Sequence, residues 1–520
     1  MDPAALRASF SVAQLFLILV RLQLHMELEN PKVIKPTRRN VLKLLGAGAA
    51  AVATPSSARA EGEARRVDVV VVGAGAAGLM AARNLQRAGK EVVVLEARDR
   101  VGGRTKAGKV AGVTVDVGGM WVGPSQTRLL EVIKEYGLHR VQQFVEGRDI
   151  GLLAGRRTTG YREDLGLSAE DNAEMKRVVA LLDQLSQQVP LNAPWNAARA
   201  AEWDDMTAGD WFRANTQNKT VLDFLKYFTV GIFTCEEWQL SFLFFLFYVR
   251  SGHNFEDLLG IENAAQMWTI KETMHGVCAA IARELGESVV LEAPVSAIRQ
   301  NASGVTVQSA KEEWRADYSI VAVPLPLSVR IAYEPPLPAG RDILAQRMPM
   351  GSVIKWWIAY ETPFWRKEGF NGSTVTDVPP SAGFYDGTPP EGKPGLLVGF
   401  MEADSGIRYT GQPRDERKKA IVQRVIDFFG SQGGNPIDYE DQDWPAEVYS
   451  RGCYAASMEP GVLTTVGKYL REPHGRIHWA GTETSEIWMG YVDGALRSGD
   501  RAAAEVLARY QSSKKRAAAG

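Results

Sequence analysis

The chain has 520 residues, too many for one simple core, and its 45% hydrophobic and 23% charged residues suit a globular protein of two or three domains. Sixty basic and 61 acidic residues give a formal net charge of −1, which excludes the strongly positive field that a nucleic-acid partner requires. Cys235, Cys278 and Cys453 are too few for a disulfide framework or a zinc site, although one Cys235–Cys278 bridge stays open. The six histidines have no metal-ligand spacing, so no metal is expected.

Residues 1–64 read as an extension ahead of the folded body. TRRNVLKLL (37–45) is followed by the small, apolar GAGAAAVATP and then by SSARAEGE. Arg38-Arg39, a modest apolar run and the small-residue site Ala58-Arg59-Ala60, in that order, make a twin-arginine export signal. It predicts the twin-arginine translocase as a transient partner and a periplasmic protein, or a cytoplasmic one where the signal goes unused. The apolar run Val12 to Val20 ahead of it is too short to span a bilayer, and a true start at Met26 rather than Met1 is the expectation.

Val67-Asp68-Val69-Val70-Val71-Val72 has the β-branched continuity of a strand buried on both faces of a parallel sheet. It runs into Gly73-Ala74-Gly75-Ala76-Ala77-Gly78 and a helical stretch to about Gly89, and a second strand, Glu91 to Leu95, ends in Glu96. This is GxGxxG with a strand before it, a helix after it and an acid at the second strand's tip, the arrangement that binds a dinucleotide. Gly73 permits the turn, Gly75 lets a pyrophosphate reach the helix N-terminus, and Gly78 lets helix and sheet pack closely. Glu96 would accept hydrogen bonds from an adenosine ribose.

Further along, LSFLFFLFYV (240–249) is about half the length of a membrane span and predicts a buried helix. Lys355 stands in the strand-like SVIKWWIAY, where it either reaches the edge of the sheet or is held inside for a purpose, since an unpaired buried ammonium costs several kcal/mol, about as much as a lost buried ion pair. IHWAG (477–481) reads as a short strand with Thr482-Glu483-Thr484 at its tip. A helix follows from about Tyr491, with Gly494, Ala495, Ser498 and Gly499 on a small-residue side. Its N-terminus could stabilise negative charge on a bound cofactor. Residues 511–520 are polar and read as a disordered tail.

The residues after Glu96 and Ala97, Arg98-Asp99-Arg100-Val101-Gly102-Gly103-Arg104-Thr105, resemble the signature of FAD-dependent amine oxidases, and Gly118-Gly119-Met120-Trp121-Val122-Gly123-Pro124 resembles that family's next flavin-contacting turn. With AEWDDM, PMGSVIK, PFWRK, GCY and GTETSEIWMGY in order, the chain resembles the monoamine oxidases from about residue 66 to 508. The resemblance implies an α/β, bilobed fold in which a Rossmann-like FAD-binding domain (65–141, 271–344, 447–510) interleaves with an α+β substrate-binding domain (142–270, 345–446). It implies FAD bound by Gly73, Gly75, Ala76, Ala77, Gly78, Glu96, Ala97, Arg98, Gly103, Arg104, Gly118, Gly119, Met120, Trp121, Val295, Trp444, Cys453, Gly481, Thr482, Glu483, Tyr491 and Val492.

In that family the lysine matching Lys355 holds a water against the flavin, and the tyrosines matching Tyr454 and Tyr491 flank the amine. The implied activity is oxidative deamination of an amine to aldehyde, ammonia and hydrogen peroxide with dioxygen as acceptor. Matching by spacing places Ile232, Leu259, Gln266, Val375, Tyr385 and Phe400 around the substrate. No arginine falls among them, which argues against an L-amino-acid oxidase. No acid does either, which weakens a diamine or polyamine oxidase, and a primary aryl- or alkyl-amine is the expectation. A secondary-amine (nicotine-type) oxidase stays open, as does, among non-enzymes, an escort protein on this fold without flavin. No stable membrane anchor is expected, and a homodimer is left open.

Two departures bear on the site. Relatives carry a glycine pair where this chain has Lys271-Glu272-Thr273-Met274-His275-Gly276, so a different local turn is expected. In monoamine oxidases the cysteine of Ser-Gly-Gly-Cys-Tyr is joined through sulfur to the 8α carbon of FAD; here the string is Ser450-Arg451-Gly452-Cys453-Tyr454. An 8α-S-cysteinyl bond through Cys453 is expected, with Gly452 leaving room for the ring and the Arg451 charge favouring the thiolate.

Overall fold

The computed structural model describes residues 65–153, 155–160, 167–381 and 383–519. The extension 1–64, with Arg38-Arg39 and the cleavage site, lies outside the described residues.

Val69–Val72 is buried along its whole length, as consecutive valines require where both faces of a sheet are covered. It is the central strand of five, all parallel, in the order Val289–Val290, Val92–Leu95, Val69–Val72, Tyr318–Val321 and Ile477–Trp479. Val69 and Val71 face the helices Ala76–Arg87, Met274–Leu285 and Val492–Ala519, packing with Leu79, Met274, Ile281 and Leu496. Val70 and Val72 face the other way and pack with Ile298, Val305, Val307 and Trp314 of a second five-stranded sheet. Gly73, Glu96 and the Gly481–Thr482 turn stand at the carboxyl ends of the parallel strands, the edge of such a sheet where ligands bind.

A third sheet has seven strands in the order Asp438–Asp443, Val353–Tyr360, Gly395–Glu402, Gly383–Asp386, Phe370–Thr376, Arg148–Leu153 and Arg156–Gly160. Val353–Tyr360 and Gly395–Glu402 are buried at every residue and antiparallel, with Lys355 opposite Phe400 and Val353 opposite Glu402. Ile354, Trp356 and Ile358 fill one face with Phe384, Met401 and Phe428. The alternate positions, Val353, Lys355 and Trp357, therefore face the opposite side together with Phe400 and Glu402.

The apolar run expected as a buried helix forms Phe242–Ser251, capped by Ser241, whose hydroxyl accepts from Phe244 N at 3.2 Å. It carries Phe242, Phe244 and Phe245 into a helical core with Trp211, Phe228 and Phe233.

Two expectations are corrected. The last helix runs Val492–Ala519, into the stretch expected as a disordered tail, because Lys514 to Ala519 are good helix formers and end in basic-then-alanine sequence suited to a helix C-terminus. All three cysteines are free thiols: Cys235 packs against the helical core and Cys278 within the sheet-and-helix core, so no Cys235–Cys278 bridge forms.

Candidate active site

One cavity runs from the glycine-rich loop to the seven-stranded sheet. Gly73, Gly75, Ala76, Ala77, Glu96, Ala97, Arg98, Gly103, Arg104 and Val295 line the first part. Gly118, Gly119, Met120, Trp121, Lys355, Cys453, Tyr454, Gly481, Thr482, Tyr491 and Val492 line the continuation, with Ile232, Leu259, Gln266, Tyr385 and Phe400 beyond.

The first part fits a dinucleotide on its own geometry. Gly73 has φ +101°, and a Cβ there would stand 2.8 Å from the Ala322 carbonyl oxygen, so only glycine makes the turn. Over Gly75 there is open space where a side chain would be, directly before the Ala76–Arg87 helix, whose first N–H groups suit a pyrophosphate. Gly102 N donates to Ala74 O at 2.8 Å and folds the Gly102-Gly103 turn onto this loop. The buried Glu96 accepts from Ala74 N at 2.8 Å and Arg98 N at 3.0 Å, which fixes a carboxylate at the ribose position. Gly78 does not line the cavity; a Cβ there would come within 2.0 Å of Gly73 O, so it sets the helix–sheet distance as its place in the motif predicts.

Lys355 is 2% exposed. Its Nζ donates to Gly118 O at 2.8 Å and lies 5.5–5.7 Å from the ring centroids of Phe400, Trp121 and Trp357. Burial lowers its pKa from the usual lysine range, and the nearby Asp116 charge works against that fall. Asp116 is 5% exposed and accepts from the first turn of the Met274–Leu285 helix, Met274 N at 2.8 Å and His275 N at 3.4 Å. Burial raises its pKa and Lys355 opposes the rise. The two buried charges therefore stabilise one another, at longer range than an ion pair.

Arg104 joins the halves of the site. Its Nη1 donates to Tyr454 O at 2.8 Å and to Glu483 Oε1 at 2.5 Å, and its Nη2 donates to Glu483 Oε2 at 3.1 Å. Glu483 lies behind the cavity wall rather than in it; burial pushes its carboxyl up, but Arg104 more than offsets this and keeps it below the usual range. Trp444 also stands behind the wall, donating from Nε1 to Val117 O at 3.0 Å and packing with Cys453 and Phe400. Tyr454 makes an edge contact with Phe400 at 5.7 Å, and Tyr491 one with Trp488 at 4.8 Å. Burial keeps both hydroxyls neutral by raising their pKa values.

The structure corrects several expectations. Val375 does not line the cavity: it pairs with Gly151 and Gly383, and Gly383, lacking a side chain, leaves that wall to Tyr227 and Tyr385. An acid does line it, Glu402, on the Phe400 face of its strand, so the argument against a second cationic group on the substrate falls. Gly452 does not leave room for a ring; a Cβ there would meet Gly351 O at 2.3 Å and Met350 Cβ at 2.5 Å, so it lets two backbones approach. Arg451 is exposed and does not act on the thiol. Burial pushes the Cys453 pKa up to about 12, and the charges that pull it down are Arg104 and Lys355. The altered turn at Lys271–Gly276 is accommodated by Thr273, which takes φ +68° and caps the helix through its hydroxyl on Gly276 N at 3.2 Å.

Tyr227, Gly231, Tyr248, Glu402 and Gly490 also line the cavity, beyond the residues expected from sequence. Glu402 had a legible signal, an acid two positions beyond Phe400 in an otherwise apolar strand. Gly490 and Tyr248 did not: a Cβ on Gly490 would stand 2.2 Å from the Tyr248 hydroxyl, a fit that exists only in three dimensions.

A two-part α/β body with a dinucleotide cradle opening onto an aromatic cavity, and a buried lysine on that cavity's wall, defines a flavoprotein oxidoreductase of the amine-oxidase class. Residues 76–507 match the family of flavin-containing amine oxidoreductases, and the chain belongs to it. It is 37% identical over 447 residues to the flavin-containing amine oxidase of Oncorhynchus mykiss, covering 85% of each chain. Among solved structures it is similar to putrescine oxidase bound to putrescine (TM-score 0.82, 32% identity, 85% of this chain and 99% of that one). It is also similar to cyclohexylamine oxidase from Brevibacterium oxydans (TM-score 0.81, 30% identity, 86% and 99%). The protein is an FAD-dependent amine oxidase.

Proposed function

We propose that the protein oxidises a primary amine, consuming dioxygen and water and releasing an aldehyde, ammonia and hydrogen peroxide. The observation that carries this reading is the continuity of the cavity from the Gly73–Gly78 cradle to a chamber walled by Tyr454, Tyr491, Tyr385, Phe400 and Trp121 with Lys355 in its side. FAD, when bound, supplies the redox step, taking two electrons with hydrogen from the amine α-carbon and passing them to dioxygen. The chain supplies position and dryness. Tyr454 and Tyr491 present neutral aromatic walls that receive an uncharged amine, and the apolar chamber excludes the water that would keep it protonated. Lys355, anchored on Gly118 O and balanced by Asp116, holds a fixed N–H donor in the wall where a water or an oxygen species can be oriented. The Val492–Ala519 helix begins at the cavity with its N-terminus, a place suited to negative charge.

The proposal includes a covalent flavin. Cys453 lines the cavity, the charges of Arg104 and Lys355 lower its pKa against burial, and the motif Gly452-Cys453-Tyr454 is the one expected for an 8α-S-cysteinyl bond. It also includes twin-arginine export through Arg38-Arg39 to the periplasm, a route on which a tethered cofactor would not be lost. The purified protein, screened against primary, secondary and tertiary amines for peroxide release, tests the reaction: turnover confined to secondary amines would replace it with the nicotine-type reading.

A further inference from the structure

The substrate end of the cavity carries one charge that the chemistry at Tyr454 and Tyr491 does not use. Six charged side chains line the cavity among the described residues. Glu96, Arg98 and Arg330 belong to the strand ends and turns of the parallel-sheet half, and Arg104 and Lys355 flank Cys453. The sixth is Glu402.

Glu402 is 5% exposed and ends the Gly395–Glu402 strand, opposite Val353. Alternation puts it on the same face as Phe400, about 7 Å further along the strand. Phe400 touches Tyr454 at 5.7 Å and Trp121 at 5.9 Å, so the strand leads from the tyrosine that receives the reacting amine to the carboxylate. Glu402 is also the residue that begins the Ala403–Tyr409 helix, yet its side chain does not cap that helix. Tyr227 and Tyr385 line the cavity beside it, and after burial its negative charge is among the causes that raise both of their pKa values, as it also is for Tyr454. A carboxylate among neutral aromatic rings in an enclosed cavity is the chemistry that recognises an ammonium group, by a charge-assisted hydrogen bond and by the ring faces.

We propose that Glu402 is a specificity-determining residue that receives a second ammonium at the far end of the substrate, so that the enzyme prefers short α,ω-diamines to monoamines of the same chain length. This rests on the amine-oxidase reading above and adds to it the class of amine. The reacting nitrogen enters between Tyr454 and Tyr491 uncharged, while the other nitrogen stays protonated against Glu402. The few carbons between them lie along Phe400 and Trp121.

The test compares 1,4-diaminobutane with n-butylamine on the purified holoenzyme, by peroxide release, for the wild type and Glu402→Gln. The wild type is expected to show at least a tenfold higher kcat/KM for the diamine, and the substitution to lower the diamine-to-monoamine ratio about ten- to a hundredfold, chiefly through KM. Both amines are read on one preparation, so incomplete folding of the variant cancels from the ratio. If the variant does not fold at all, the wild-type ratio decides. A wild type that oxidises n-butylamine as well as the diamine, or a ratio untouched by Glu402→Gln, overturns the inference and leaves the oxidase reading standing. A wild type that oxidises neither these nor any other amine fails the oxidase reading and takes this inference with it.

Discussion

Replacing Lys355 with methionine keeps most of its volume and removes the positive charge that Asp116 faces. In the wild type, burial lowers the Lys355 pKa and raises that of Asp116, each restrained by the other. A carboxyl whose folded pKa is raised contributes stability that is present below its unfolded pKa and is lost as pH rises through the folded value. A lysine whose folded pKa is lowered does the opposite, costing stability at lower pH and recovering it as pH rises; with both folded values at about 7, the Asp116 loss falls below pH 7 and the Lys355 recovery above it. Without Lys355, Asp116 keeps only its backbone donors, Met274 N and His275 N, and its pKa climbs further. Each pH unit over which it holds a proton that the unfolded chain has released costs about 1.4 kcal/mol; between about pH 5 and pH 8 the wild type bears that cost only to about pH 7 and above it regains as much per unit through Lys355, so by pH 8 the variant falls behind by about 3 kcal/mol. A chain of this size unfolds with an entropy near 1 kcal/mol per kelvin, so the difference corresponds to about 3 °C in Tm. The assay is thermal unfolding of wild type, Lys355→Met and the double variant Asp116→Asn/Lys355→Met at both pH values. The difference between Lys355→Met and wild type should widen toward pH 8 and the double variant should restore a flat difference. An offset that is the same at both pH values would refute the pairing.

Tyr454→Leu/Tyr491→Leu should lower kcat/KM for amines by about a hundredfold with little loss of bound flavin, because the walls that position the amine are gone; wild-type kinetics in this variant would remove the aromatic pair from the site. Acid-precipitated wild type should stay yellow and Cys453→Ala should release its colour, with a matching mass change on the peptide containing Cys453; intact FAD released from the wild type would show the thiol to be structural. Changing Arg38-Arg39 to Lys-Lys should leave active, flavin-loaded enzyme in the cytoplasm, and the variant reaching the periplasm would indicate another route.

Local strings fixed the parts of this site that depend on local geometry. Val69–Val72, Gly73, Gly75 and Glu96 were legible because a tight turn between a buried strand and a helix needs those residue types at that spacing. Lys355 was legible because a cation inside an apolar strand is costly. Its partner was not, since Asp116 is brought to it by the fold and only the burial of both makes them a pair. Spacing alone places both Val375 and Tyr385 in the pocket; Tyr385 is there, but strand pairing sets Val375 between Gly151 and Gly383, and Gly383 and the helical Tyr227 line the cavity in its place. Glu402 shows the same limit in reverse: period-two alternation puts it on the Phe400 face, a signal that matching by spacing to family pocket positions does not contain. The charges that act on the thiol are not legible for a related reason: Arg451 is near Cys453 only in sequence, while Arg104 and Lys355 are brought within electrostatic reach by the fold.

The central claim, that this chamber oxidises amines through a bound flavin, is tested most directly by adding 1,4-diaminobutane and, separately, a primary monoamine to the purified holoprotein without air while recording its visible spectrum. The account predicts that the yellow flavin absorbance bleaches on mixing with one equivalent of amine and returns when air is admitted, with one peroxide formed per amine oxidised. A colourless protein, or a flavin spectrum that no amine changes, would contradict it.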